Sequence, residues 1–143
     1  MNLYFDTSSL FKLYHKEEGT DELMELLKKN SVNAIYLCEI TGIEFSSAIW
    51  KKCRKKEISE NIANTLIEKF DKDSAKFRFV PQNFTLRKSA KNLIAKYWTD
   101  GLRTLDSIQL ASALSIKENV DIFLTSDKLL ADIAIHEGMN VKS

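Results

Sequence analysis

The chain has 143 residues, 44% of them hydrophobic and 29% charged, so it is long enough for one domain with a buried core and too apolar to be disordered. Its 21 Lys and Arg residues nearly balance 20 Asp and Glu residues, which excludes a positive field over the whole molecule and leaves only local patches for nucleic-acid binding. Cys38 and Cys53 lack CxxC spacing and neighbouring histidines, which argues against zinc and indicates reduced thiols. We find neither a signal peptide nor an apolar run long enough for a membrane span, and therefore expect a cytoplasmic protein.

The first half of the chain alternates between short apolar runs and helical patterns. Leu3, Tyr4 and Phe5 predict a first strand, and Asp6 follows it directly. The other elements predicted up to residue 72 are a short helix at 10–14, a helix around 23–27 that ends in a Lys-Lys-Asn cluster, a strand at 34–37, and helices at 39–56 and 59–72.

The second half continues this alternation. Its predicted elements are a strand at 77–80 that Pro81 ends, helices at 84–98 and 105–117, a strand at 122–125, a helix at 128–137 with Gly138 as a left-handed cap, and a short strand at 139–141. No linker or repeat interrupts the order, so we predict a single domain over residues 1–143. Strands that alternate with helices favour an α/β fold with a mostly parallel central sheet and helices on both faces.

Asp6 stands at the end of the first predicted strand, where an open α/β sheet usually places its ligands. Thr7, Ser8 and Ser9 follow, and all three are residue types that cap helices. We therefore expect the serines to cap the next helix and to leave the Asp6 carboxylate free for chemistry.

Asp106 is the only charged residue between Thr104 and Ile116, in a helix that is apolar or small nearly all round. Such a helix is expected to be buried, and a buried acid needs a partner. The alternative is that Asp106 only stabilises the helix dipole from the first turn, worth about 0.3–1 kcal/mol, although Thr104 could already serve as the cap.

Glu44 and Asp127 each have two interpretations. Glu44 shares a predicted helix face with Ile40 and Ala48, which points it inward, but it could instead form a surface ion pair with a following lysine. Asp127 repeats the opening pattern of strand, acid and helix. Taken alone it is better explained as the N-cap of the helix that starts at Lys128.

The four acids change each other's interpretation. Like charges about 4 Å apart repel by about 4 kcal/mol at an effective dielectric of about 20, so several acids in one pocket require a cation. Carboxylate oxygens select hard ions such as Mg²⁺ or Mn²⁺, and such an ion can orient or ionise a water for attack on phosphorus. The predicted ligands are Asp6, Glu44, Asp106 and Asp127.

The PIN-domain ribonucleases, in particular the VapC-type toxins of toxin–antitoxin pairs, are the family that this sequence resembles. The resemblance lies in FDTSSLFKLY around Asp6, IEFSSA around Glu44, LRTLDSIQLASAL around Asp106 and FLTSDKLLADIAIHEGMNV around Asp127. It extends over essentially the whole chain and implies a PIN-like three-layer sandwich. It also implies a metal-dependent endoribonuclease that cuts single-stranded RNA.

In that family four acids in these contexts hold Mg²⁺ or Mn²⁺. The resemblance therefore assigns the catalytic and metal-binding roles to Asp6, Glu44, Asp106 and Asp127. It implies that the hydroxyl residues Thr7, Ser8 and Thr125 support these carboxylates. A homodimer and a small antitoxin that blocks the cleft are further implications of the resemblance.

A run of cations on the helix after Glu44 is the candidate for holding RNA phosphates: Lys51, Lys52, Arg54 and Lys55. An equally favoured alternative is a solvated helix C-terminus. Tyr97 and Trp98 could stack on bases, but packing in the core or a dimer is favoured. His15 and His136 are expected to be exposed or capping residues and not general bases.

Two other classes of protein share part of this pattern. Phosphatases of the haloacid dehalogenase type also begin with a strand and an Asp, but their motif needs a second Asp two residues later, where this chain has Ser8. The remaining alternative is a non-catalytic PIN-like module that binds RNA or protein, in which the acids only cap helices or carry surface charge.

Overall fold

A computed structural model describes residues 1–142, which form five strands and seven α-helices. The strands are β1 Asn2–Phe5, β2 Ala34–Cys38, β3 Arg78–Val80, β4 Ile122–Leu124 and β5 Val141–Lys142. The helices are α1 Thr7–Phe11, α2 Thr20–Lys29, α3 Thr41–Arg54, α4 Glu60–Asp73, α5 Phe84–Lys96, α6 Thr104–Ser115 and α7 Lys128–His136. Three short 3₁₀ turns lie at Ser74–Lys76, Trp98–Asp100 and Lys117–Asn119.

The strands form one sheet in the order β3-β2-β1-β4-β5, and every described pair of neighbours is parallel. Leu3 pairs with Ile35 on one side and Ile122 on the other, so β1 is central. Because parallel strands point the same way, the residues that follow β1 and β4 meet at one edge of the sheet. We call it the carboxyl edge.

Helices cover both faces of the sheet, which confirms the predicted three-layer α/β sandwich. Alternation along β1 separates the two cores, since Tyr4 packs on one face while Leu3 and Phe5 pack on the other. The Tyr4 side is covered by α5, α6 and α7. The opposite side is covered by α1, α3 and α4 and by Leu23 of α2.

The first helix differs from the prediction at its N-terminus. The expectation that the serines would cap it is wrong, because Asp6 itself is the N-cap and its Oδ1 accepts a hydrogen bond from the Ser9 backbone N–H at 2.9 Å. The helix therefore begins at Thr7 and not near residue 10. The carboxylate at the residue immediately after the strand lies next to the first free N–H groups of the helix and accepts their hydrogen bonds. The hydroxyl residues that follow it are already inside the first turn.

Other helix ends move by one to three residues. The predicted helix at 39–56 spans Thr41–Arg54, and the one at 84–98 ends at Lys96 before a 3₁₀ turn. Gly138 has φ 90°, which confirms the left-handed cap after α7. Tyr97 is buried, in agreement with core packing, whereas Trp98 is exposed. No helix among residues 1–142 is long and apolar enough to cross a membrane.

Candidate active site

The carboxyl edge gathers the acids that the sequence singles out. Asp6 follows β1 directly and Asp127 comes three residues after β4 ends. Glu44 lies in the first turn of α3 and Asp106 in the first turn of α6. Four separate segments of the chain therefore contribute one carboxylate each.

Asp6 is the most fully anchored of these acids. Its side chain is 5% exposed, and Oδ1 accepts hydrogen bonds from the Ser9 N–H at 2.9 Å and the Ser8 hydroxyl at 2.7 Å. Oδ2 accepts a hydrogen bond from the Thr125 hydroxyl at 2.5 Å. Burial raises the pKa of Asp6 above its usual value, although these three donors act in the opposite direction by favouring the charged form.

Glu44 points inward, so the ion pair with a surface lysine is excluded as its role. Its Oε1 accepts hydrogen bonds from the Thr7 hydroxyl at 2.9 Å and from the Gln109 amide at 2.8 Å. Both donors contact the same oxygen. The second carboxylate oxygen is thereby kept apart from this polar network.

Gln109 is a residue that the sequence interpretation missed. It is 2% exposed, and its amide nitrogen also contacts the hydroxyls of Thr41 at 2.9 Å and Thr7 at 3.2 Å, while its oxygen accepts a hydrogen bond from Tyr4 at 3.0 Å. An amide has only two N–H groups, so the weaker Thr7 contact competes with those to Glu44 and Thr41. These hydrogen bonds hold the Glu44 carboxylate in one orientation.

The pKa of Asp106 is affected by the charges of the other acids. Burial raises the pKa of Asp106 from 3.8 to about 6, and the negative charges of Asp127, Asp6 and Glu44, in that order, add to the increase. The Arg103 guanidinium acts against them. The other three predicted acids therefore each lie within electrostatic reach of Asp106.

Thr104 does not cap α6, because the N-cap position is Arg103 and no side chain there accepts a hydrogen bond from the helix. Asp106 therefore stands in a first turn without side-chain capping. Its charge favours the helix dipole, but burial and, after it, the like charges around it raise its pKa.

Asp127 agrees with the interpretation as a helix cap, and its role as a ligand stays a prediction. It is exposed and caps α7, since its Oδ1 accepts a hydrogen bond from the Leu130 N–H at 2.9 Å. Its own N–H donates to the Thr125 hydroxyl at 3.1 Å, and that hydroxyl in turn donates to Asp6. Thr125 therefore links the two acids that follow neighbouring strands.

The acids form a loose cluster and not a ready-made ligand sphere. Among residues 1–142, no three His, Cys, Asp or Glu side chains are arranged closely enough to hold a metal ion. Two members are held by hydrogen bonds to hydroxyl groups, while Asp127 is occupied by helix capping. The donor set is nevertheless composed of oxygen atoms alone, which is the chemistry that Mg²⁺ and Mn²⁺ prefer.

Two grooves flank the cluster. One has a volume of about 320 Å³ and extends from Thr7 and Ser8 to Lys51, Lys52 and Lys55. The other has a volume of about 550 Å³ and is lined by Glu44, Asp106 and the segment from Leu102 to Leu105. We call them the lysine groove and the α6 groove.

The predicted phosphate-binding cations divide into two groups. Lys51 and Lys55 are exposed in the lysine groove, whereas Lys52 also pairs with Glu57 at 3.2 Å. Arg54 lies on the same helix but does not line the groove. The structure thus separates Arg54 from the other three residues.

The histidines lie away from the acids. His136 is in the last turn of α7, and its ring nitrogen contacts the Tyr97 hydroxyl at 2.7 Å. His15 follows α1 and packs edge-on against Phe11. Among residues 1–142, neither histidine forms a hydrogen bond or ion pair with Asp6, Glu44, Asp106 or Asp127.

Comparison with known proteins places this fold in a family. VapC20 of Mycobacterium tuberculosis, a sarcin-ricin loop cleaving toxin, is 12% identical with a TM-score of 0.71, over 92% of this chain and 94% of that chain. FitAcB of Neisseria gonorrhoeae is 14% identical with a TM-score of 0.72, over 99% and 96%. A toxin–antitoxin complex from Klebsiella pneumoniae is 17% identical with a TM-score of 0.67, over 99% and 96%. A search of the curated proteins found no match.

At these identities the solved structures establish the fold alone. The family comparison extends further, because the PIN domain matches residues 3–136 and so spans every acid at the carboxyl edge. The chain therefore belongs to the PIN domain family.

Proposed function

We propose that this protein is a cytoplasmic, Mg²⁺- or Mn²⁺-dependent endoribonuclease and the toxin of a type II toxin–antitoxin system. The observation that carries the proposal is the placement of four carboxylates from separate segments at the carboxyl edge of a PIN fold. The raised pKa of Asp106, caused by burial and by the charges of the other three acids, agrees with it. So many like charges in one place oppose folding and are useful to a protein that binds a divalent cation.

The roles of the four acids follow from their surroundings. Asp6 and Asp106 are proposed as the nearest metal ligands, and Glu44 and Asp127 complete the set directly or through water. A divalent ion bound here would supply Lewis-acid activation of water and would neutralise charge on the phosphate. Thr7, Ser8 and Thr125 support the site by donating hydrogen bonds to Glu44 and Asp6.

The reaction is hydrolysis of an RNA phosphodiester bond. A water attacks phosphorus and forms a new P–O bond while the bond from phosphorus to one ribose oxygen breaks. Either Glu44 or Asp127 accepts a proton from the attacking water, and the departing ribose oxygen takes a proton from solvent. Glu44 suits this role because the hydrogen bonds of Thr7 and Gln109 both fall on Oε1. Its Oε2 accepts no hydrogen bond from residues 1–142.

The lysine groove is proposed to hold the RNA backbone. Lys51, Lys52 and Lys55 line it together with Thr7 and Ser8, the two residues that follow Asp6. Lysines bind phosphates as point charges without reading bases, so this groove contributes affinity that depends on salt. Arg54 is assigned to phosphate contacts outside the groove.

A small antitoxin and a second copy of the chain are the proposed protein partners. The toxin–antitoxin complex among the similar folds supports an antitoxin partner. A homodimer follows from the resemblance to VapC-type toxins.

The direct test is metal-dependent cleavage of single-stranded RNA by purified protein. Asp6→Asn and Asp106→Asn should each abolish cleavage while the circular dichroism spectrum stays native. Asp71→Asn is a matched control, since Asp71 is exposed on α4 and lies outside the cluster. Retained activity in either cluster variant would refute the assignment.

A non-catalytic PIN-like module that binds RNA or protein is the second candidate. It is favoured by the finding that no three acids among residues 1–142 are placed to hold a metal ion. Thermal melting separates the candidates, because an ion that binds only the folded state raises Tm with its concentration. The nuclease should melt at higher temperature in millimolar Mn²⁺ than in EDTA, and the module should not.

A further inference from the structure

One long segment of this nearly neutral chain has no acid at all. Residues 74–99 contain no Asp or Glu, although the whole sequence has 20 of them. The same segment contains six cations: Lys76, Arg78, Arg87, Lys88, Lys91 and Lys96. Four of these lie on α5, so this helix is strongly basic in a protein with no overall positive charge to speak of.

An aromatic ring and three of these cations share one face of α5. Phe84, Arg87, Lys88 and Lys91 are spaced i, i+3, i+4 and i+7, which is the spacing of a single helical stripe. All four are exposed, and Phe84 is 72% exposed. They line one hollow with a volume of about 390 Å³. We call this set the α5 stripe.

The cations of the stripe differ from Lys76 and Lys96 in their partners. Lys76 pairs with Asp73 at 3.4 Å and Lys96 with Glu137 at 2.6 Å. Within residues 1–142, no carboxylate lies within 4.0 Å of the charged atoms of Arg87, Lys88 or Lys91. The stripe therefore presents uncompensated positive charge beside a large exposed ring.

The start of the stripe lies at the same edge of the sheet as the acids. Phe84 opens α5 four residues after β3 ends, and the Gln82 N–H donates to the Glu39 carboxylate that follows β2. In the order β3-β2-β1, the end of β3 is two strands from Asp6, about 10 Å at the usual strand spacing. One extended strand of RNA can reach both places.

We propose that the α5 stripe is a second contact surface for single-stranded RNA, with phosphates on Arg87, Lys88 and Lys91 and a base stacked on Phe84. Exposed aromatic rings between cations are the combination with which proteins hold single strands. The inference rests on the proposed nuclease function, whose cleavage centre it extends. A self-association through this face is disfavoured, because a two-fold interface would place the cations of one copy against those of the other.

The test measures binding of an unstructured, fluorescein-labelled RNA to Asp6→Asn protein in EDTA, so that cleavage cannot interfere. In this background Lys88→Gln with Lys91→Gln should weaken binding on the order of ten-fold at low salt. The plot of log affinity against log salt should become less steep by about 1.4, which is the loss of two phosphate contacts to a single strand. The matched control is Lys28→Gln with Lys72→Gln, an equal charge change at exposed lysines of α2 and α4.

Substitutions of Phe84 test the stacking contact separately from the charge contacts. Phe84→Leu keeps an apolar side chain but removes the ring, and it should weaken binding on the order of ten-fold without changing the salt dependence. Phe84→Trp should retain wild-type affinity. A purely structural role is excluded if all these variants keep the wild-type Tm.

The outcomes separate this proposal from the proposed function. Equal RNA affinity in the Lys88 and Lys91 variant and in its control overturns the α5 stripe. The same conclusion follows if sedimentation shows that stripe variants change the oligomeric state while RNA affinity stays constant. If the wild-type protein fails to cleave RNA in Mn²⁺ but the stripe variants still lose RNA binding, the nuclease assignment fails and the stripe stands.

Discussion

Asp6 and Asp106 stand at the starts of two helices on the same edge of the sheet, yet their surroundings are opposite. Asp6 accepts hydrogen bonds from a backbone N–H and two hydroxyls, and it caps its own helix. Asp106 is influenced mainly by burial and by three like charges. Both pKa values are raised, but one carboxylate has a structural role of its own and the other does not.

The difference teaches how a cation site can be built without destabilising the whole domain. The acid that is buried deepest is also the one with the most donors, which limits the cost of burying its charge. Asp106 is repelled by the other three carboxylates, but it is partly exposed, so solvent screens part of this repulsion. A divalent ion would therefore reduce the electrostatic repulsion most at Asp106.

The largest expected difference is between two neutral substitutions of Asp6. Asp6→Asn retains an oxygen that can cap α1, whereas Asp6→Ala leaves the donors of Ser8, Ser9 and Thr125 without their acceptor. Loss of a cap costs about 1 kcal/mol and a buried unpaired donor about 1–3 kcal/mol, so the Ala variant should unfold about 2–3 kcal/mol more easily than the Asn variant. Urea denaturation measures the difference. Equal stabilities would show that the carboxylate has no structural role.

Gln109→Leu tests the hydrogen bonds that orient Glu44. Partners of metal ligands typically contribute 10–100-fold to metal affinity, and the Mn²⁺ concentration that gives half of the Tm increase should rise by about that factor. Tyr4→Phe is the control, because it removes a hydrogen bond to the Gln109 oxygen while the amide still donates to Glu44. An unchanged Mn²⁺ requirement in Gln109→Leu would mean that Glu44 needs no orientation.

The sequence predicted the order of elements, and the position of each acid at a strand end or helix start, because both depend on local patterns. Apolar runs of three to five residues mark β1, β2 and β4, and each acid follows a strand or lies at the start of a helix. The same reasoning failed at the start of α1. Whether Asp6 or a serine caps the helix depends on where the strand ends, and that is set by pairing with distant β4.

Gln109 and the perturbed pKa of Asp106 could not be read from local patterns. The role of Gln109 depends on contacts to residues 65 and 102 positions away. A signal was nevertheless present, since it is the only long polar side chain between Ser107 and Ser115 in an otherwise apolar helix. Lys55 lines the lysine groove and Arg54 does not. This difference depends on how α3 is rotated about its axis relative to α1, which sequence periodicity leaves undetermined.

Asp106→Asn should make the protein more stable while it abolishes cleavage. The pKa of Asp106 is raised to about 6 in the folded state, which therefore binds the proton more tightly than the unfolded state. Protonation of Asp106 thus stabilises the wild-type fold fully below pH 3.8, and this stabilisation is lost as pH rises through 6. At pH 7 in EDTA, removal of the charge should add about 1 kcal/mol after allowance for partial exposure, or about 3 °C in Tm. At pH 3.5 the gain should vanish.

Asp106→Ala extends the comparison with Asp6. Because burial and like charges, and not hydrogen bonds, raise the pKa of Asp106, the Ala and Asn variants should agree in stability within about 0.5 kcal/mol, unlike the same pair at Asp6. Thermal melts at pH 3.5 and 7 measure both effects. A stability of Asp106→Asn below wild type at pH 7 would contradict the electrostatic explanation.

The smallest expected effect lies in the lysine groove, on the Asp6 side of the cluster. Lys51→Gln and Lys55→Gln should each weaken RNA binding a few-fold at low salt, because each removes one phosphate contact and flattens the salt dependence by about 0.7. Arg54→Gln carries the same charge change on the same helix but lies outside the groove, so it should weaken binding less. Fluorescence anisotropy over a salt series resolves the three variants. If Arg54→Gln costs as much affinity as the other two, the cations act through the total charge of the helix, and the groove does not define the path of the RNA.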